Sequence, residues 1–273
     1  MKIPKIIHQS WKGKAEDLPT KESSIRNVLL KNHPEWEYKY WTDEDNFNLI
    51  ADHYPWFLDT YESYEWPIQR ADAARVFYMH KYGGVYLDLD MLSLKPMDEM
   101  IDQIEHNDCQ FLLNCSHNRE VLLFEEYPNA YNLQNSIYNA IMASEPNSRF
   151  WILAAYMMQQ RALELKYKDD MQKQSKVFWS TGPRLISAAV ASQIQASSNH
   201  SLCVLPYFYT NPTSLPGKNE GELVLFNKFN ILSLFEKSDT TFSVAWQSIP
   251  QEYLVESLLP NSYFTHASSR TWA

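Results

Sequence analysis

The stretch Trp66–Leu94, WPIQRADAARVFYMHKYGGVYLDLDMLSL, decides the fold. Pro67 suits the first helical position, where its missing N–H is no loss. Gly83 suits the residue just past a helix end, where φ > 0 is favoured. The spacing therefore predicts a helix from Pro67 to Tyr82. At about 100° per residue, Ile68, Ala71, Asp72, Arg75, Met79 and Tyr82 share one face. Val76, Phe77 and Tyr78 point elsewhere, so the helix is apolar almost all round and is expected to be buried. Asp72 and Arg75 lie three apart in its middle, within pairing reach. Such a buried pair is rarely a net source of stability. It either ties the helix to a neighbour or faces a polar ligand. Val85-Tyr86-Leu87 then reads as a short strand. In an extended chain Tyr86, Asp88 and Asp90 lie on one face and Leu87 and Leu89 on the other. Two carboxylates at the end of a core strand are costly unless neutralised. A divalent cation does this, and oxygen ligands suit Mg²⁺ or Mn²⁺.

Outward from this block, strands alternate with helices. Strands are expected at Ile3–His8, Tyr38–Trp41, within Gln110–Asn114, and at Leu202–Leu205. Helices are expected over 20–32, from Thr42 to about Ala51, within 135–144 and 148–167, and from Pro183 to about Gln195 with Ser180 or Thr181 as cap. Residues 211–222 read as a loop and Thr265–Trp272 as a polar tail. The alternation argues for α/β. An Asp-x-Asp alone is weak evidence, because about one is expected by chance at ordinary composition. A second copy, Asp43-Glu44-Asp45, follows Thr42 and reads as the acidic first turn of a capped helix. The strand-end setting distinguishes the Asp88/Asp90 copy.

The chain has 273 residues with 24 Lys+Arg against 33 Asp+Glu, a net charge of −9. This length is enough to bury a sizeable core. The acidic balance argues against nucleic acid as a partner, since phosphate would be repelled. No apolar run approaches a membrane span. Lys5, His8 and Gln9 interrupt the first apolar stretch, so no signal peptide is expected and a cytoplasmic location is. The three cysteines have no metal spacing and read as free thiols. There are only six glycines, so neither G-x-G-x-x-G nor G-x-x-x-x-G-K-[ST] can be written. A phosphate-bearing ligand needs another device.

The 66–94 block resembles the D-x-D region of glycosyltransferases of family 32. Other stretches are similar too: IPKIIHQSW at 3–11, HPEWEYKYWTDED at 33–45 and the whole of 54–90. NAIMASEPNSRF at 139–150, STGPRLIS at 180–187 and HASSRTW at 266–272 resemble weaker family blocks. The resemblance implies a GT-A-like nucleotide-sugar-binding α/β fold, with a central mixed, mostly parallel sheet flanked by helices. It implies one domain over 1–273, with a donor-binding half to about 115 and an acceptor half beyond.

It further implies a metal-dependent, retaining transfer of a hexose from a nucleotide sugar, GDP-mannose before a UDP-hexose, to a glycan or glycolipid. Asp72, Arg75, Asp88 and Asp90 would carry the catalytic work. Ser10, Trp11, Tyr86, Arg270 and Trp272 would join Asp72, Arg75 and Asp88 around the donor. Asp88, Asp90 and His266 would hold Mn²⁺ or Mg²⁺. Asn139 and Gly182 would lie on the acceptor side. A glycolipid acceptor would bring peripheral contact with a membrane. Two other readings stand beside this one. A non-catalytic sugar- or nucleotide-binding relative would also use the aromatic content. A haloacid-dehalogenase-type phosphatase also uses a strand-end D-x-D. Against the latter, Leu92 stands where Thr or Val is expected, and the motif is not on the first strand.

Overall fold

A computed structural model describes residues 2–106, 111–115, 137–168, 171–196, 202–205, 222–225, 242–245 and 263–266. The chain opens with β1 (Ile6–Ser10), α1 (Thr20–Asn32), β2 (Glu37–Trp41), α2 (Asp43–His53), α3 (Pro55–Ser63) and α4 (Pro67–Tyr82). Next come β3 (Gly84–Leu87), β4 (Met91–Ser93), α5 (Asp98–His106), β5 (Phe111–Cys115) and β6 (Ile137–Ser144). α6 (Arg149–Leu165), α7 (Lys173–Ser180), α8 (Pro183–Ala196) and β7 (Leu202–Leu205) follow, then β8 (Glu222–Leu225), β9 (Phe242–Ala245) and β10 (Phe264–His266). The main sheet has the order β2-β1-β3-β6-β5-β7. Its β2-β1, β1-β3 and β5-β7 pairs are parallel, and β6 runs against both β3 and β5. This is the mixed, mostly parallel α/β sheet that the resemblance implied.

Local signals set the first third. Thr42 accepts from the Asp45 N–H while Asp45 accepts from the Thr42 N–H, a complete capping box. The acidic Asp43–Asp45 triplet is therefore a helix start, as expected. α4 runs from Pro67 to Tyr82 and is stopped by Gly83 at φ 63°. Gly84 follows at φ 88°, and a Cβ there would meet the Ile6 carbonyl oxygen at 2.5 Å. The double glycine thus lets α4 fold back and β3 lie close against β1.

The sheet is buried on both faces. Phe77, Tyr78, Met142, Trp151, Met158, Ile186 and Val190 fill one side, between the sheet and α4, α6 and α8. Ile7, Leu29, Trp36, Val85, Leu87, Ile141 and Phe264 fill the other. No helix among the described residues is long and apolar enough to cross a membrane.

Four expectations are corrected. Residues 137–144 (IYNAIMAS) form strand β6, not a helix. Their Ala and Met content favours a helix, but burial between the two cores on both faces overrides it. The first strand is Ile6–Ser10 rather than Ile3–His8. The α8 start is not capped by Ser180 or Thr181. The Ser180 hydroxyl lies against Gln69 and the Thr181 hydroxyl against Asp72, while the Gly182 carbonyl takes the Leu185 N–H. Finally, the extended chain ends at Asp88. The Met91 N–H bonds back to the Asp88 carbonyl at 3.0 Å, so Leu89 and Asp90 form a turn and Asp90 does not share Asp88's strand face. The loop expected at 211–222 lies, up to 221, outside the described residues. The cysteine thiols lie outside the described part as well.

One buried group has a determined protonation state. His8 Nε2 lies 2.8 Å from the Gly83 carbonyl and must donate to it; Nδ1 accepts from Trp41 Nε1–H at 3.1 Å. The ring is thus neutral, and it stacks on Tyr78 and Trp41. Burial lowers His8 to about 4, opposed by the Gly83 bond and aided by Lys39. A depressed histidine adds stability that is complete above the unfolded value near 6.5 and is lost as pH falls toward 4. Ring ¹⁵N spectra should show Nε2–H with no titration from pH 7 to 5; a midpoint near 6.5 would refute this state.

Candidate active site

The parallel strands β1, β2 and β3 end at one edge of the sheet, where open α/β sheets bind ligands. Ser10 and Trp11 leave β1 there, and Asp88 leaves β3 there. Gln9, wholly buried, ties the two ends together. Its Nε2 donates to the Asp88 carbonyl at 3.3 Å, and its Oε1 accepts from the Tyr38 hydroxyl at 3.0 Å. Strand β6 enters the sheet at the same edge, where the Asp88 N–H donates to the Ala140 carbonyl at 2.8 Å.

Arg75 organises this edge. Its Nη2 lies 2.9 Å from Asp72 Oδ1, its Nη1 3.3 Å from Asp88 Oδ1, and Nη1 also donates to the Asn139 carbonyl at 2.9 Å. The guanidinium carbon sits 4.5 Å from the centre of the Tyr86 ring. Asp72 is further held by Asn139 Nδ2 at 3.4 Å and the Thr181 hydroxyl at 3.3 Å. Tyr86 donates to Asp88 Oδ1 at 2.6 Å. Asp72 and Arg75 are each 5% exposed, whereas the Asp88 side chain keeps 29% of its surface open. One buried cation therefore joins α4 to the partly open carboxylate at the end of β3.

The electrostatics follow. Burial pushes Asp72 up to about 6; Arg75 opposes this and Asp88 reinforces it. Burial disfavours a charged Arg75, but Tyr86, Asp88 and Asp72 together hold it above its ordinary value. Burial raises Tyr86 well above its usual range, so it remains a hydroxyl donor. A raised Asp72 binds its proton in the folded state first, so between about pH 4 and 6 it acts on stability with the opposite sign to His8.

The structure brings Asp72, Arg75, Tyr86, Asp88 and Asn139 into one network. Gly182 follows Thr181 in the α7–α8 turn that touches Asp72. Asp90 lies in the turn after β3, half-buried. Strand β10 pairs with β4 and sets the His266 backbone opposite Met91, one residue past Asp90; of His266 only the backbone is described. Ser10 Oγ accepts from Asn46 Nδ2 at 3.2 Å, and the half-buried Trp11 carries Lys12 5.7 Å from its ring centre. Arg270 and Trp272 lie outside the described residues. Among the described residues, no group of three His, Cys, Asp or Glu is placed to hold a metal. Sequence reasoning missed Gln9 as the link between β1 and Asp88. A polar side chain inside the apolar strand IIHQS was the available signal.

Residues 19–110, about a third of the chain, match the family described as the glycosyltransferase sugar-binding region containing the DXD motif. Asp88-Leu89-Asp90 lies within the matched stretch. Particular relatives are similar over a comparable share of the chain. The mannosyl phosphorylinositol ceramide synthase SUR1 of Saccharomyces cerevisiae is 48% identical over 99 residues, 36% of this chain and 25% of the relative. Inositol phosphoceramide mannosyltransferase 3 of Schizosaccharomyces pombe is 46% identical over 99 residues, 36% of this chain and 27% of the relative. The initiation-specific alpha-1,6-mannosyltransferase of Candida albicans is 33% identical over 113 residues, 38% of this chain and 28% of the relative. The match thus spans about a quarter of the length of these relatives. A solved glycosyltransferase, PaToxG, superposes over 71% of both chains at 15% identity with a TM-score of 0.46.

Proposed function

We propose that this protein is a retaining glycosyltransferase that moves a hexose from a nucleotide sugar to a hydroxyl of a glycan or glycolipid. Mannose from GDP-mannose is the favoured donor, ahead of a UDP-hexose. One observation carries the reading: a buried guanidinium, Arg75, clasped by Asp72 and Asp88 at the ligand-binding edge of the sheet. Relatives whose names include mannosyltransferase match about a third of this chain.

The roles follow from charge and place. The partly open Asp88 and, in the turn just after it, Asp90 carry hard carboxylate oxygens, the donor type that Mn²⁺ or Mg²⁺ prefers. His266 is the proposed third ligand. Such a cation supplies neutralisation of the leaving diphosphate, which an acidic chain without a glycine-rich cradle otherwise lacks. Ser10, Trp11 and Tyr86 flank the nucleotide, and Arg270 and Trp272 close over it. Arg75 and Asp72 face the hexose, where fixed dipoles in a low-dielectric site stabilise developing charge best. The bond from the sugar to the diphosphate breaks with oxocarbenium-like charge, and an acceptor hydroxyl from the Asn139–Gly182 side attacks the same face and passes its proton to the leaving diphosphate. A cytoplasmic enzyme touching a membrane peripherally, and not nucleic acid, completes the proposal.

A donor screen tests it. Incubation with Mn²⁺ and a panel of nucleotide sugars should release nucleoside diphosphate, most from GDP-mannose. Silence with every donor and with added glycan or glycolipid acceptors would end the reading.

A further inference from the structure

Helix α6 is apolar nearly all round, a pattern that belongs to a fully buried helix. Trp151, Ala154, Ala155 and Met158 do face the core. The opposite side does not. At about 100° per residue, Ile152, Tyr156 and Leu163 fall within one narrow arc of the outer surface. Tyr167 follows two residues past the helix end. Tyr156 is 52%, Leu163 61% and Tyr167 81% exposed. Scattered singly, such residues need no partner; aligned along one helix, they mark a surface that meets something.

Charge indicates what it meets. Residues 149–184 carry seven Lys and Arg against three Asp and Glu, a net +4 in a chain whose total is −9. Lys166 and Lys168 are exposed on either side of Tyr167, and Lys173 is exposed at the start of α7. Glu164, the single carboxylate of α6, is paired with Arg161. An anionic surface is thus repelled by the rest of the chain and attracted here. Basic groups around exposed Leu and Tyr are the composition of a helix that lies in a lipid headgroup layer. A soluble polyanion would use the lysines but leave Leu163 and Tyr167 in water. A second copy of the chain would set the basic patch against itself, because a two-fold interface uses the same patch on both partners.

The patch is placed beside the site. α6 starts at the far edge of the sheet, where the Asn147 N–H donates to the His80 carbonyl near the end of α4. Its other end comes back toward the site. The Arg161 guanidinium carbon lies 5.7 Å from the centre of the Trp179 ring, and Trp179 is two residues before Thr181, whose hydroxyl bonds Asp72. Arg184 lies 5.2 Å from the same ring, and Lys176 5.9 Å from that of Trp66, just ahead of α4. At the starting end Trp56 stacks on Tyr156 at 4.8 Å, but Asp59 follows one turn along α3. The basic, C-terminal end of α6 therefore leads. Resting on the glycolipid side of the reading above, we propose that the outer face of α6, led by Leu163 and Tyr167 and flanked by Lys166 and Lys168, docks on an anionic lipid bilayer. A bilayer held there lies on the Asn139–Gly182 side, from which the acceptor comes.

Cosedimentation of the full chain with phosphatidylcholine vesicles, with and without phosphatidylserine, tests this. The native protein should bind the anionic vesicles and bind the neutral ones far more weakly. Two double variants divide the patch by chemistry: Leu163→Ser with Tyr167→Ser, and Lys166→Glu with Lys168→Glu. Each should lower partition onto anionic vesicles at least about tenfold. All four side chains are exposed, so the melting temperature should hold, and so should diphosphate release from a soluble donor.

A native protein that ignores anionic vesicles overturns the inference, as do double variants that partition within twofold of it. A native dimer in sedimentation that becomes a monomer on changing Leu163 and Tyr167 overturns it too, since the face would then belong to a second copy. Vesicle binding needs no nucleotide sugar, so the two readings fail separately. A protein that binds vesicles but is silent with every donor fails the glycosyltransferase reading alone. One that is active but indifferent to vesicles fails the docking surface alone.

Discussion

Replacing Arg75 by Met should destabilise the fold by about 3–5 kcal/mol at pH 7, a large part of the stability of an ordinary domain. Met replaces the apolar stem but not the guanidinium head, so the loss combines a stranded charge with a small cavity where the head group sat. It strands Asp72, 5% exposed, beside Asp88 with no counter-charge. The Asn139 carbonyl loses its guanidinium donor, and the Tyr86 ring loses its cation. Asp72 should respond by moving above its present value of about 6, taking up a proton rather than staying charged. Arg75→Lys keeps the charge but not the fork that reaches Asp72 and Asp88 together, so it should recover only part of the loss. Adding Asp72→Asn to Arg75→Met should cost less than the sum of the two single changes, because the stranded charge is gone. Urea denaturation of the native protein and the four variants, repeated across pH to follow Asp72, measures all of this. Native-like stability of Arg75→Met would show that the clasp is not the organising contact of this edge.

Legibility followed the range of the forces involved. α4 was readable to the residue and α2 at its start because these ends are local: Pro67 and Gly83 for one, the Thr42–Asp45 box for the other, while α2 runs on past Ala51 to His53. The Asp72–Arg75 pair was readable because helical spacing alone puts the two within reach. The step from Arg75 to Asp88 was not, since it depends on how α4 folds back over β3 after the double glycine. β6 was misread for the same reason. IYNAIMAS has helix-forming residues, and only its place between two buried layers makes it a strand. Asp90 was misplaced because an extended-chain rule was carried two residues past Asp88, into a turn closed by Met91.

Asp90→Ala should lower Mn²⁺-dependent turnover by about a thousandfold or more, since a lost charge-stabilising contact at a leaving group is worth several kcal/mol. The fold should barely change. Asp90 is half-buried in a turn, outside both cores, so its removal should cost about 1 kcal/mol or less. The chain contains its own control. Asp45 belongs to a second Asp-x-Asp whose carboxylate closes the α2 capping box. Asp45→Ala should therefore lose about 1 kcal/mol of stability and keep full turnover, since only a cap is removed. The two substitutions delete the same chemical group from the same short motif, yet their effects should fall on opposite measurements. Melting curves and diphosphate release, run side by side, read both. If Asp90→Ala keeps full activity, the carboxylates at the end of β3 are not the metal site. If Asp45→Ala loses activity as well, sequence spacing rather than strand-end position would have to be explaining the chemistry, and the way α4, the double glycine and β3 single out Asp88 and Asp90 would have no functional meaning.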